Sequence, residues 1–156
     1  MKIVLFEPDI PQNTGSMVRL SACMGIPLHI IEPCGFPLED KRLRRVALDY
    51  YDLAAIIRHR SWQAFMECDH IRNGARLVLL TTHATQYHTD FHFQPDDILL
   101  FGRESSGVPD YVREAAAASV KIPMQAGARS LNLVQAASMV VGEALRQTNQ
   151  FPKQKA

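Results

Sequence analysis

Residues 122–138, IPMQAGARSLNLVQAAS, decide how the chain is read. Val120 and Ile122 end a short apolar strand, and a long apolar helix follows. Pro123 has no amide hydrogen, so strand pairing stops there. Gly127 lets the backbone turn where a side chain would clash. Ser130 or Asn132 can cap the helix that follows. Free amides at that helix N-terminus, beside Arg129, suit an anionic or hydrogen-bond-accepting ligand. An ordinary strand-to-helix loop with a surface arginine would read the same way.

The helix carries a second signal. From Leu131 to Leu145 its only charge is Glu143. Leu131, Val134, Ser138, Val141 and Leu145 make one stripe, and Leu133, Ala136, Ala137, Val140 and Ala144 make another. A surface helix needs only one apolar stripe. Two predict a helix sunk in its own core or shared with a partner, and a twofold homodimer is the commonest such arrangement.

Composition bounds what the rest can be. A chain of 156 residues predicts one domain with enough length to bury a real core. Hydrophobic residues are 47% and charged residues 21%, which predicts a globular chain rather than a disordered one. The net charge is +1, so any affinity for nucleic acid must come from local clustering. Cys23, Cys34 and Cys68 are an odd number without a CxxC, which favours a reducing compartment over a disulfide framework. No apolar run approaches the ~18 residues of a membrane span. The N-terminus enters a strand directly, with no signal peptide. The expected location is the cytoplasm.

Taken in order, strands and helices alternate. KIVLF at 2–6 is a continuous apolar run, suited to a strand buried on both faces. A rigid loop with two prolines follows, and Asn13 or Thr14 can cap a helix running to Met24, ended by Gly25 and Pro27. Within it, Arg19 is the only Asp, Glu, Lys or Arg between Asp9 and Glu32. No carboxylate lies within helical reach of it. It either meets a phosphate, whose geometry a guanidinium matches with two hydrogen bonds, or it pairs with a distant carboxylate or with solvent.

Residues 28–31 form a second strand. LEDKRLRRVALDYY at 38–51 predicts a helix with Lys41, Arg42, Arg44 and Arg45 on one exposed side, beside Tyr50 and Tyr51. Such a patch suits a phosphate backbone with stacked single-stranded bases. A solvated helix partly balanced by Glu39 and Asp40 is the plainer reading. Residues 54–57 suit a third strand, 61–68 a short capped helix, and 76–82 a buried strand whose end lies where open α/β sheets bind ligands. His88 and His92 would form half a metal site on a helix, but Phe91, Phe93 and Pro95 predict an extended loop, and no metal is expected.

ILLFGRESSG at 98–107 predicts a buried strand ending at Gly102, which permits close backbone approach to a ligand. Glu104 can hold hydroxyls or pair with an arginine. Val108 and Pro109 stand where a P-loop needs lysine and serine or threonine, and no GxGxxG occurs. Residues 110–118 read as helix, and the polar tail from Gln147 as frayed. The whole predicts a single α/β domain over 1–156, a mostly parallel sheet with helices on both faces.

Three segments together are specific. NTGSMVR (13–19), LLFGRESSGVP (99–109) and IPMQAGARSLNLVQAAS (122–138) resemble the three ordered motifs of the SPOUT superfamily. These are S-adenosylmethionine-dependent RNA methyltransferases with a trefoil knot. The small size, the start IVLFEPDIPQNTG and the segment DKRLRRVALDY resemble most closely the TrmL type, which methylates the ribose 2′-hydroxyl of the wobble nucleotide, cytidine or modified uridine, in the tRNA anticodon loop. The match runs the whole length. It departs at Ser16, at Arg103 to Ser106, and at Gly142 and Leu145, where aromatics are familiar. Arg103 could restore a positive charge that the Ser106 position lacks.

The resemblance implies a homodimer with a deep C-terminal knot, an exception to unknotted topology. It implies that Leu80, Gly102, Ile122, Ser130 and Leu131 hold S-adenosylmethionine. It implies that Arg19, Ser130 and Asn132 carry catalysis. Asn13, Lys41, Arg42, Arg44, Arg45 and Arg129 would then hold the anticodon stem-loop. Methyl transfer from a sulfonium is an in-line displacement that needs positioning and exclusion of water, not a metal. The alternatives are a ribose methyltransferase for another tRNA or rRNA position, or an RNA-binding member without activity. A nicotinamide oxidoreductase and a regulatory protein using only its dimer surface stand further off.

Overall fold

Four apolar runs make the middle of one sheet. The computed structural model describes residues 1–153. Its elements are β1 (Lys2–Phe6), α1 (Pro11–Met24), β2 (Leu28–Ile31), α2 (Lys41–Ala47), α3 (Tyr50–Leu53), β3 (Ile56–His59), α4 (Trp62–Met66), α5 (Asp69–Arg72), β4 (Leu77–Leu80), β5 (Gln86–Tyr87), β6 (Ile98–Phe101), α6 (Asp110–Ala115), β7 (Ala118–Lys121) and α7 (Leu133–Thr148). The sheet order is β3-β2-β1-β6-β4-β7-β5. Every pairing is parallel.

Parallel strands need covering on both faces, and the strand residues divide by alternation. Ile3, Leu5, Leu28, Ile30, Leu99 and Phe101 face one core, with Met17 and Val18 of α1, Leu43 of α2 and Val140 of α7. Val4, Phe6, Ile31, Leu77, Leu79 and Leu100 face the other, with Phe65 of α4 and Val112 of α6. Each buried Leu, Ile or Phe contributes about 1.5–3 kcal/mol. The sequence expectation of a mostly parallel sheet with helices on both faces therefore holds. Strand β6 slots between β1 and β4, and after β7 the chain returns across the sheet so that α7 packs on α1 and β6.

Several boundaries differ from the sequence reading. Helix α1 starts at Pro11, with Ile10 as N-cap and no side-chain cap bond, so neither Asn13 nor Thr14 caps it. Proline's fixed φ makes it a good first helical residue, and this wins over the polar caps. The helix expected over 38–51 breaks at Leu48, whose φ is +54°, into α2 and α3. The third strand lies two residues later than expected because Ala54 ends α3 in an extended conformation. Helix α6 stops at Ala115, and Ala118 pairs instead with Val78. The tail is not frayed from Gln147: that side chain donates to Phe91 O at 2.9 Å and accepts from Phe93 N at 2.9 Å, tying α7 to the 88–93 loop. Residues 154–156 of the expected frayed tail lie outside the described residues.

Helices α1 and α2 touch at a glycine. A Cβ on Gly15 would sit 2.6 Å from Leu43 O, so only glycine allows this spacing. On α7, Ala137, Val140, Val141, Ala144 and Leu145 are buried in the chain's own core. Leu131, Ser138 and Met139 remain exposed. One stripe is thus sunk and part of the other is free.

Candidate active site

A cavity of about 440 Å³ opens at the C-terminal ends of β4, β6 and β7 and the start of α7. This is the crevice where open parallel sheets bind ligands. All five residues expected to hold a cofactor line it: Leu80, Gly102, Ile122, Ser130 and Leu131. Asn132 lines it too. The walls are apolar at Leu79, Leu80, Ile122, Leu131 and Leu133, and the polar groups come from loops.

The loop between β7 and α7 supplies unused peptide groups. Among the described residues, Pro123 to Leu131 carry one backbone–backbone hydrogen bond, Ala128 N to Gln125 O at 3.1 Å. Gly127 turns at φ +90° with open space around its missing side chain, so its conformation and not a clash demands glycine. Asn132, not Ser130, is the N-cap: its Oδ1 accepts from Val134 N at 2.9 Å.

Gly102 has a reason the sequence did not show. A Cβ there would lie 2.7 Å from the carbonyl carbon of Gly107. Arg103 and Gly107 exchange two backbone hydrogen bonds, each 2.9 Å. The loop thus folds back on itself, and glycine is needed for that closure before any ligand is present.

A chain of hydrogen bonds joins this loop to α1 and α7. Glu104 Oε1 accepts from Asn13 Nδ2 at 3.1 Å, and Asn13 Oδ1 accepts from Asn132 Nδ2 at 3.1 Å. Glu104 Oε2 accepts from Asp9 N at 3.1 Å, while Glu104 N donates to Asp9 Oδ1 at 3.2 Å. Burial and the neighbouring Asp9 push the Glu104 carboxyl above its ordinary range. Burial also acts upward on Asp9, but hydrogen bonds from Glu104 and Ser105 outweigh it and hold Asp9 below. Asn13, expected on the RNA path, therefore stands in the cavity wall. Glu104, expected only to hold hydroxyls or an arginine, ties three segments together.

Arg103 does not offer a free charge. Its Nη1 lies 3.1 Å from Glu7 Oε2, and its Nε 3.7 Å from Asp9 Oδ2. It therefore does not replace the positive charge missing at Ser106. The partners lie some ninety residues away in sequence, so local spacing held no signal for them.

Arg19 is elsewhere. It is not part of the cavity lining. It lies on α1 six residues beyond Asn13, about 9 Å along the axis. Its side chain is exposed, with Cζ 4.9 Å from the centre of the Tyr50 ring. Within one chain the structure brings Ser130, Asn132 and the residues expected to hold a cofactor together but leaves Arg19 apart.

The basic residues divide by partner. Arg42 is held by the Asp40 N-cap, with Nη2–Oδ2 at 2.8 Å. Arg44 stacks on Tyr51 at 4.4 Å. Lys41, Arg45 and Arg129 are exposed and form no ion pair among the described residues. His88 is buried after a short strand and His92 is exposed. No group of three potential ligands gathers to hold a metal among the described residues. No helix among them is long and apolar enough to cross a membrane.

Comparison with known proteins gives this geometry its context. A tRNA (cytidine(34)-2′-O)-methyltransferase of Beijerinckia indica subsp. indica is 54% identical over 151 residues, covering 97% of this chain and 94% of that protein. A solved structure described as giving insight into the 2-OH methylation of C/U34 on tRNA superposes with a TM-score of 0.88 at 39% identity, covering 94% of each chain. The SpoU methyltransferase AviRb from Streptomyces viridochromogenes, in complex with the cofactor AdoMet, superposes with a TM-score of 0.87 at 26% identity, covering 94% of this chain and 60% of that one. The model of the SpoU rRNA Methylase family matches residues 1–142. The three motif segments lie wholly within that match, and the chain belongs to the SpoU rRNA methylase family.

Proposed function

We propose that this protein transfers a methyl group from S-adenosylmethionine to the ribose 2′-hydroxyl of the wobble nucleotide, cytidine or modified uridine, of the tRNA anticodon loop. The observation that carries the reading is the cavity. It gathers every residue that the SPOUT resemblance assigns to the cofactor, at the strand ends where a parallel sheet binds ligands. Relatives matched over nearly the whole chain are named tRNA (cytidine(34)-2′-O)-methyltransferases.

The cavity suits the cofactor on chemical grounds. Its apolar walls accept an adenine, and the peptide groups of Met124, Ser130 and Leu131, which form no backbone–backbone bond among the described residues, can read the ring edge. Leu80, Gly102, Ile122, Ser130 and Leu131 would hold S-adenosylmethionine. When bound, that cofactor supplies an electrophilic methyl on a sulfonium centre. The chain's part is to position, to exclude water and to meet developing charge.

Ser130 and Asn132 orient the ribose hydroxyl at the cavity mouth. Arg19 holds the neighbouring phosphate through its guanidinium fork and stabilises negative charge on the ribose oxygen as its proton leaves to solvent. It is too weakly acidic to serve as a base in its usual protonated form. Because Arg19 lies outside its own chain's cavity, the protein works as a homodimer in which a second copy supplies it. The exposed Ser138 and Met139 on α7, with Leu131 just before it, support that pairing. Lys41, Arg42, Arg44, Arg45 and Arg129 bind the anticodon stem; Lys41, Arg44, Arg45 and Arg129 are best placed because no carboxylate neutralises them among the described residues, whereas Asp40 holds Arg42. The deep knot belongs to the same reading, supported by β6 lying between β1 and β4 and by the return of α7. A cytoplasmic setting agrees with three free thiols, of which burial pushes Cys34 up to about 12.

The experiment is mass mapping of ribose methylation in cellular tRNA with and without the protein. The wobble 2′-O-methyl should vanish from a subset of tRNAs when the protein is absent. A second reading, an rRNA target, has the family's own description in its favour. Loss of an rRNA methyl with wobble nucleotides unchanged would establish it instead.

A further inference from the structure

Among the described residues, eight arginines are held by a carboxylate or by a ring, and Arg76 by both, since its Cζ lies 5.1 Å from the centre of the Phe91 ring while Asp97 takes its Nε and Nη2. Arg42, Arg58, Arg76, Arg103, Arg113 and Arg146 each lie against a carboxylate, at 2.7 to 3.1 Å. Arg19 and Arg44 lie instead on tyrosine rings, at 4.9 and 4.4 Å, and neither forms an ion pair among the described residues. The two rings are consecutive, Tyr50 and Tyr51, at the start of α3. One guanidinium comes from α1 and the other from α2, whose spacing Gly15 sets.

The difference has chemical consequences. A carboxylate occupies the N–H donors of a guanidinium and cancels its charge. A ring face attracts the cation through its quadrupole and fixes the plane, while the donors around the edge stay free. A phosphate needs those edge donors. The Tyr50 hydroxyl makes no hydrogen bond among those described, so the ring is what this residue contributes.

We propose that Tyr50 is the positioning residue for Arg19: its ring face holds the guanidinium in the plane from which it meets the phosphate beside the target ribose. This rests on the role given to Arg19 above. Tyr51 gives Arg44 the same support, so the two adjacent rings of α3 each hold a guanidinium with its edge donors free for phosphate. A misplacement of about 1 Å at such a group can cost a large factor in rate.

The test is a double-mutant cycle on the full-length protein, read as the single-turnover rate of wobble methylation, with cofactor affinity and thermal midpoint as controls. Tyr50→Leu should lower the rate about fivefold to tenfold, and Tyr50→Phe should keep it within about twofold. In an Arg19→Ala background, Tyr50→Leu should cost less than about twofold more. Fluorinated phenylalanines at position 50 keep the shape and weaken the ring quadrupole, so the rate should fall stepwise with fluorine count even if Tyr50→Leu does not fold. Equal losses from Tyr50→Leu in both backgrounds, a loss in Tyr50→Phe equal to that in Tyr50→Leu, or a rate indifferent to fluorination would each overturn the proposal. A wild-type rate in Arg19→Ala would overturn the role of Arg19 itself, which is a separate failure.

Discussion

The cavity end and the α1–α2–α3 corner are built by opposite rules. Around the cavity, polar groups are spent on each other: Glu104 on Asn13, Asn13 on Asn132, Arg103 on Glu7. At the corner, Lys41 and Arg45 are exposed without ion pairs among the described residues, and Arg19 and Arg44 rest on rings. The hydrogen-bonded network of the first region closes within one chain. The second is open, and apart from Arg42, which Asp40 holds, its cations have no carboxylate partner among the described residues. A binding site for a small molecule must be shaped in advance, whereas a surface for RNA must keep its charges available.

The strongest way to break this contrast is to remove Arg19. Arg19→Ala should lower methylation by on the order of 10²–10³-fold, while calorimetry finds cofactor affinity unchanged. Arg19→Lys keeps the charge and loses the fork, so near-full activity in that variant would refute two-bond anchoring of phosphate. A parallel loss of cofactor affinity in Arg19→Ala would mean that the two regions are not separate.

Acid should weaken the fold through a buried histidine pair between β2 and β3. His29 on β2 is buried, with Nδ1 2.8 Å from His59 Nε2 on β3 and no partner for its Nε2. Burial, and then the neighbouring His59, lower its pKa from 6.5 to about 4. A histidine held neutral in the fold gives stability that is complete above pH 6.5 and is lost as pH falls through about 4. The shift corresponds to about 3 kcal/mol over that window. Urea midpoints between pH 7 and pH 4 should show it, and His29→Phe should flatten the slope. An unchanged slope in that variant would place the acid sensitivity elsewhere.

Smaller effects sharpen the cavity side. Gly102→Ala forces a methyl against Gly107 and should cost about 1–3 kcal/mol of stability, with at least about tenfold weaker cofactor binding. Asn132→Ala removes the α7 N-cap and should cost about 1 kcal/mol in thermal or urea denaturation. The smallest expected effect is at the corner. Lys41→Glu with Arg45→Glu should raise KM for tRNA and reduce the salt slope by about 0.7–0.9 for each phosphate that is no longer neutralised, with cofactor affinity constant. A slope equal to wild type would remove those two residues from the RNA path.

The sequence reached the regular parts of the fold more readily than the site's wiring. β6 begins and ends where the apolar run Ile98–Phe101 does, because a strand buried on both faces needs nothing else. Helix ends were harder. Pro11 starts α1 ahead of the polar residues expected to cap it, and Leu48 breaks a helix whose charge pattern is continuous. The alanine run at 115–118 has helical propensity, yet Ala118 is drawn into the sheet beside Val78. Strand order came only from tertiary structure. At the site, motif resemblance brought Leu80, Gly102, Ile122, Ser130 and Leu131 to one cavity. It could not foresee that Glu104 joins Asn13, that Arg103 is neutralised, or that Tyr50 lies under Arg19. Those pairs are set by which strands become neighbours, and no local spacing encodes that.

The central claim is that one chain's cavity works with another chain's Arg19. Complementation between two inactive variants tests it most directly. Ser130→Trp fills the cavity mouth and should abolish cofactor binding, while Arg19→Ala leaves the cavity intact. Mixed and allowed to exchange subunits, they form heterodimers with one intact cavity facing one intact arginine, and methylation should return to about a quarter of wild type. If Arg19 serves its own chain's cavity, the mixture stays as inactive as its parents, and that result would contradict the account.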